Sequence, residues 1–446
     1  MLSALFKQKK RLFVEYSVIF KNLSMIRLLL LVPFFCPLFA VAQNIDTIFS
    51  ETIRSVQFFP NGKRLENMPA VELKKGSLTL DFDEVGGELR NLNYTIEQCD
   101  RDWKPTKLDK LEYLEGLSED RINNYKNSQA TNIQFVHFNL TIPNDVMRWN
   151  KSGNYILKVY EDDGDRTPVL TRRFVVYEQI LTVENEFVTP NAFKYNTYHE
   201  LDFKLDPKTF RLQNPMNDIR VTVLQNARWD IARMNVPPTF VMGDKIVYDY
   251  LDSITFPAGK EWRYVDLRST RFRSERVSTI DKGDQTFDYV LRTDLDRFRE
   301  PYLIYPDLNG GFFTETSDYP NQTIDPSVSA DYVNVYFSLK YDDEIEGSDV
   351  YLFGKLSDWK IDPRFKMTFD DNKGRYEGEV MLKQGFYNYI YAVVPKGKKV
   401  QPDCTKLEGN WFATENEYQF LIYYRPFGAR YDRVIGYQKY QSTLKR

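Results

Sequence analysis

The stretch QFVHFNLTIP, residues 134–143, decides the fold class. Val136, Phe138, Leu140 and Ile142 fall on one face, and His137 and Asn139 on the other. Side chains alternate sides along an extended chain, so this period of two marks a strand with one buried face. His137, opposite the apolar face, is expected to look at solvent or at a neighbouring domain.

The same rhythm runs outward in both directions. SLTLDFDEV (77–85) alternates Leu78, Leu80 and Phe82 with polar partners, and LNYTIEQCD (92–100) alternates Leu92, Tyr94 and Ile96. SGNYILKVYED (152–162) and TRRFVVYEQI (171–180) follow, bounded by Gly, Asn, Asp and Pro. Several such strands within one block predict an antiparallel sandwich. A second block holds HELDFKLDP (199–207), IRVTVLQNARW (219–229) and DKIVYDYLD (244–252), and a third opens at ADYVNVYFSLKY (330–341). Amphipathic helices are wanting; LDKLEYLEGL (108–117) predicts at most one short helix. The expectation is an all-β protein of several antiparallel, immunoglobulin-like or early-set sandwiches. Its expected domains are 43–179, 180–328 with a Pro- and Gly-rich linker from 305, and 329–446.

The first 42 residues differ. From Met25, the expected start, Arg27 precedes an apolar run that ends in Ala40-Val41-Ala42 before Gln43. This order of basic residue, apolar core and small-residue cleavage site predicts a secretory signal. The run is short of the ~20 apolar residues that span a bilayer, so an exported, cleaved product is expected. Aromatics form 15% of the chain, with 30 Tyr and 32 Phe, which suits pleated, half-buried surfaces. The formal net charge is −3, and losing the basic N-terminus makes the remainder more acidic, so nucleic acid is not an expected partner. Beyond the signal only Cys99 and Cys404 remain. Two buried thiols are the expected state, with an interdomain disulfide as the alternative.

Chemistry is sparse. His137 and His199 are the only histidines and neither lies near a cysteine, so no metal, cofactor or catalytic residue is assigned. Asp296 and Asp307 are loop acids, and the simplest role for them is to bond nearby backbone N–H groups in turns. RYVDLRSTRFRSERV (263–277) predicts a strand carrying Arg268, Arg271 and Arg273, candidates for a partner-binding strip because guanidinium forks bond carboxylates in pairs. VYLFGKLSDWKIDPRFKMTF (350–369) places Gly354 after an apolar strand and Trp359 in the following loop. It resembles the early-set sandwich of glycogen-binding modules. That leaves carbohydrate binding as the alternative function, although the spacing demands only that Trp359 cap a core.

LNYTIEQCDRDWKPTKLDKLEYLEGL (92–117), with Cys99, Asp100 and Trp103, carries a more specific signal. So do EWRYVDLRSTRFRS (261–274), DLNGGFF (307–313) and NWFATENEYQFLIYYRPFGARYDRVIGY (410–437). Together they resemble the type IX secretion system plug protein family over nearly all of the chain after the signal. The resemblance implies a periplasmic, mostly β protein, peripheral to the outer membrane. It would dock on a large outer-membrane β-barrel translocon and seal its lumen at rest. It implies no enzyme activity and no cofactor, and Trp103 and Trp359 are expected to serve as core residues.

Overall fold

The computed structural model describes residues 46–186, 194, 196–319 and 325–442; the expected signal segment lies outside them. Among the described residues nearly all regular structure is strand, which makes the fold all-β. Among the described residues the α-helices are single turns, such as Lys110–Tyr113, which Asp109 and Glu112 close with a reciprocal capping box.

The first body is a sandwich. One sheet pairs Ile53–Pro60, Leu78–Val85, Phe135–Ile142 and Tyr125–Asn127. The other is built on Leu92–Cys99, Gly153–Glu161 and Pro168–Tyr177. The alternation of 134–143 sets the register: Phe138 lies opposite Phe82 and Leu140 opposite Leu80, all buried between the sheets. The rings of Phe82 and Phe138 stack at 5.1 Å, and Tyr155 stacks on Phe174 at 5.2 Å. Offset aromatic pairs add about 0.5–1.5 kcal/mol each beyond the area they bury.

The second and third bodies are not successive in sequence. Ile219–Gln225 pairs with Glu417–Tyr424, which in turn pairs with Arg433–Gln441. Facing them is a sheet of Thr182–Glu186, Asp202–Asp206, Lys245–Tyr248 and Phe240–Met242. Phe203 joins the two layers, stacked on Tyr248 and edge-on to Phe420. Between these two halves the chain makes the third body. Arg263–Asp266 pairs with Gly385–Pro395, and Val277–Lys282 and Phe287–Leu291 join Tyr332–Lys340. The stretch 263–295 therefore belongs with 330–409, and 417–441 with the middle body, which corrects the contiguous boundaries expected at 328/329. The supposed linker is also structural: Phe312–Thr314 is a strand on Gly385–Pro395. The physical reason is burial: Val265, Leu267 and Tyr289 share one core with Val335 and Tyr391, while Tyr418 and Phe420 share another with Leu205 and Val223.

The bodies meet in dense seams. Met68, Cys99, Trp103 and Val175 of the first pack on Leu224, Leu421 and Val434 of the second. The first meets the third around Asp83, where the carboxylate accepts from His137 Nδ1 at 2.7 Å, Lys383 Nζ at 2.6 Å and Tyr332 Oη at 2.7 Å. His137 thus faces the neighbouring body. A buried charge is tolerated only when paired and hydrogen-bonded, and here both oxygens of Asp83 are engaged. Burial pushes the Asp83 carboxyl up, but Lys383 and His137 outweigh it and hold it below the usual range.

Candidate partner-binding surface

The strand expected over 263–277 ends at Asp266 and resumes at Val277. The intervening loop is held from beneath. Asp318 accepts from Thr270 N–H at 2.9 Å, Ser269 Oγ at 2.8 Å and Thr270 Oγ1 at 2.9 Å. Ser269 Oγ in turn accepts from the backbone N–H groups of Arg271 and Phe272. The arginines therefore do not alternate on one strand face. Arg263 is buried on Glu408 and Asp294. Arg268 is forked onto Asp266 at 3.0 and 2.7 Å and reaches Glu315. Arg271 and Arg273 stand exposed on either side of Phe272, whose side chain is 78% exposed.

Sequence reasoning missed a second exposed feature. In the segment 295–304, Leu295, Phe298, Leu303 and Ile304 are all more than half exposed. The segment is nonetheless anchored: Arg297 N–H donates to the Leu407 carbonyl, and Lys260 Nζ to the carbonyls of Arg297 and Glu300. Trp411, itself exposed, stacks on Tyr302 at 6.4 Å and extends the apolar strip. Single exposed apolar residues are ordinary, but a rimmed group of large ones marks an interaction surface. The available signal was Leu303-Ile304 beside Pro301, apolar residues without strand periodicity.

The remaining candidates are internal. Trp103 is buried at the first seam, edge-on to Trp229 at 4.9 Å, with the Arg173 guanidinium over its ring. Trp359 is half-buried, edge-on to Trp262 at 5.5 Å and near Phe353 at 5.9 Å, with Arg228 over it at 5.3 Å. That packing takes up the ring a sugar would stack on. His199 Nε2 donates to the Phe412 carbonyl at 2.6 Å, so Nδ1 accepts from Tyr418 Oη at 2.6 Å. Burial lowers its pKa to about 4, which leaves a neutral, fully bonded core histidine. Asp296 accepts from Phe298 N–H, and Asp307 from the N–H groups of Trp262 and Asn309. Asp307 is pushed up to about 6 and Glu261, which accepts from Tyr302 Oη at 2.5 Å, to about 7, both by burial. Among the described residues no group of His, Cys, Asp or Glu could hold a metal ion, and no helix is long and apolar enough to cross a membrane. Among the described residues, Cys99 and Cys404 are free thiols.

Fold and surface define a multi-sandwich β protein whose conspicuous exposed features are aromatic, apolar and arginine-bearing loops on pinned bases. The chain belongs to the type IX secretion system plug protein family: residues 53–178 match the model of the type 9 secretion system plug protein 1st domain. A hypothetical protein from Parabacteroides merdae, known from a crystal structure at 2.30 Å resolution, is 31% identical. It superposes with a TM-score of 0.83 over 89% of this chain and 99% of its own. The collagen adhesin of S. aureus aligns at 7% identity over 88% of this chain and 95% of its own, with a TM-score of 0.10, too low to indicate a shared fold. No curated protein matches the sequence. The family is a component of protein secretion rather than a known enzyme family.

Proposed function

We propose that this protein is exported to the periplasm and docks on the periplasmic mouth of the large outer-membrane β-barrel translocon of the type IX system, sealing its lumen at rest. The observation that carries this reading is the family match over the first sandwich from Ile53 to Glu178. A plug has to be bulky and stiff, and three bodies joined by buried aromatic and ionic seams supply that. It also has to release, which favours separate aromatic and arginine anchors over a continuous apolar seam. The 295–304 strip with Trp411 and the Arg271-Phe272-Arg273 tip are the anchors we assign.

The test is capture from detergent-solubilised outer membranes with tagged protein, identifying the bound chains by mass. Recovery of one very large barrel protein is expected. Its yield should fall in Phe298→Ser/Ile304→Ser and in Arg271→Glu/Arg273→Glu, with melting temperatures unchanged. Absence of any barrel from the wild-type capture removes the docking reading. Capture undiminished in both variants leaves docking but moves it to another face.

A further inference from the structure

A cavity of about 370 Å³ lies between the first and third bodies. Its lining includes the apolar Ile53, Val56, Phe312 and Leu382. It also includes the cations Arg54, Arg172, Lys355, Lys360, Arg364 and Lys383 and the acids Asp358, Asp362 and Glu379. Two of the cations are neutralised: Arg364 is forked onto Asp362, and Lys383 is paired with Asp83. Glu379 is exposed.

The remaining charge is unbalanced. Asp358 takes both Arg172, at 3.3 Å, and Lys360, at 3.5 Å, and it is also the acid acting most strongly on Lys355. Arg54 donates to the carbonyls of Glu51 and Ile53. Asp46 lies near enough to act on Arg172, but its carboxylate is bonded by Arg173 N–H at 2.6 Å and Nε at 2.8 Å; its carbonyl accepts from Lys360 Nζ, Glu51 acts on Arg54, and Glu66 is bonded by Lys439. Burial lowers the Lys355 ammonium to about 8 even though it donates to Asn67 Oδ1 at 3.0 Å. Arg172 is only 6% exposed, and its Nη2 is buried with no hydrogen-bond partner among the described residues. An orphaned guanidinium nitrogen on a cavity wall costs free energy that an oxyanion would recover.

We propose that this cavity binds an oxyanion, carboxylate or phosphate, carried on a short apolar stem, with Arg172 Nη2 as its principal donor and Lys355 and Lys360 supplying the charge. The anion would bridge the first body, through Arg172, and the third, through the two lysines. This assignment is independent of translocon docking.

Calorimetric titration of the purified protein with hexanoate, inorganic phosphate and hexanol tests it. Hexanoate is expected to bind more tightly than either of the others, because it alone has both parts. Arg172→Gln should weaken hexanoate roughly tenfold or more, the loss of a charge-assisted hydrogen bond. Lys360→Gln, at a partly exposed position, should weaken it in the same direction and reduce its salt dependence. Phosphate binding as tightly as hexanoate keeps the anion site but overturns the apolar stem. Hexanol binding as tightly, no heat with any probe, or unchanged affinity in a folded Lys360→Gln protein overturns the site.

Discussion

Replacing Lys383 with Met probes the seam between the first and third bodies. Lys383 and Asp83 are each 1% exposed on the side chain and 2.6 Å apart. Lys383 Nζ also donates to the Ser327 carbonyl at 2.7 Å and lies 4.0 Å from the centre of the Phe135 ring. Methionine fills the same volume but removes the charge, leaving Asp83 buried with only His137 and Tyr332 as donors. Stranding one member of a buried pair costs about 3–5 kcal/mol, against about 0–1 kcal/mol for a surface bridge. Adding Asp83→Asn removes the stranded charge and should recover most of the loss, giving a strongly non-additive cycle. Urea unfolding supplies the energies, and native-state hydrogen exchange over 78–85 and 375–383 shows where protection is lost. A Lys383→Met cost below about 1 kcal/mol, or an additive double variant, would refute the reasoning. The pH dependence gives a second check. Because the folded Asp83 carboxyl is held low, its contribution is present above the unfolded value of about 3.9 and is lost as pH falls through the folded one. The seam should therefore loosen in acid below about pH 4, and less so in Asp83→Asn.

Other outcomes follow from the packing and titration. Gly310 has a φ of +81°, and a Cβ there would lie 2.5 Å from Trp359 and 2.9 Å from Trp262, so Gly310→Ala should destabilise by about 1–3 kcal/mol. Trp359→Ala should cost about 2–4 kcal/mol in urea unfolding; a loss of glucan retention without loss of stability would contradict its packed role. Burial raises Cys99 to about 12 and Cys404 to about 11, so iodoacetamide should modify both only in denaturant, and native alkylation at the rate of free cysteine would count against this. Glu261, raised to about 7, contributes stability that is fully present below its unfolded value of about 4.3 and is lost as pH rises through 7. Glu261→Gln should flatten that slope and stabilise the protein at pH 8, and an unchanged urea midpoint across the range would show that the carboxyl is not so buried.

The sequence by itself determined the strands and the fold class. A period of two needs only neighbouring residues, and in 78–85 and 134–143 it foretold which side chains are buried, Leu78, Leu80 and Phe82 in one and Val136, Phe138, Leu140 and Ile142 in the other. Family membership was legible for a similar reason, since motifs such as Cys99-Asp100-x-x-Trp103 are local strings. The tertiary structure alone decided which strands share a sheet. Glu417–Tyr424 pairs with Ile219–Gln225 across almost two hundred residues, and nothing in either segment's alternation names its partner. It also turned Arg263 inward to Glu408 while leaving Arg271 and Arg273 in solvent, although all three lie in one arginine-rich run. Alternation fixes the side of a strand on which a residue lies. Whether that side meets water, a core or another body depends on what packs against it, and residues far away in the chain supply that.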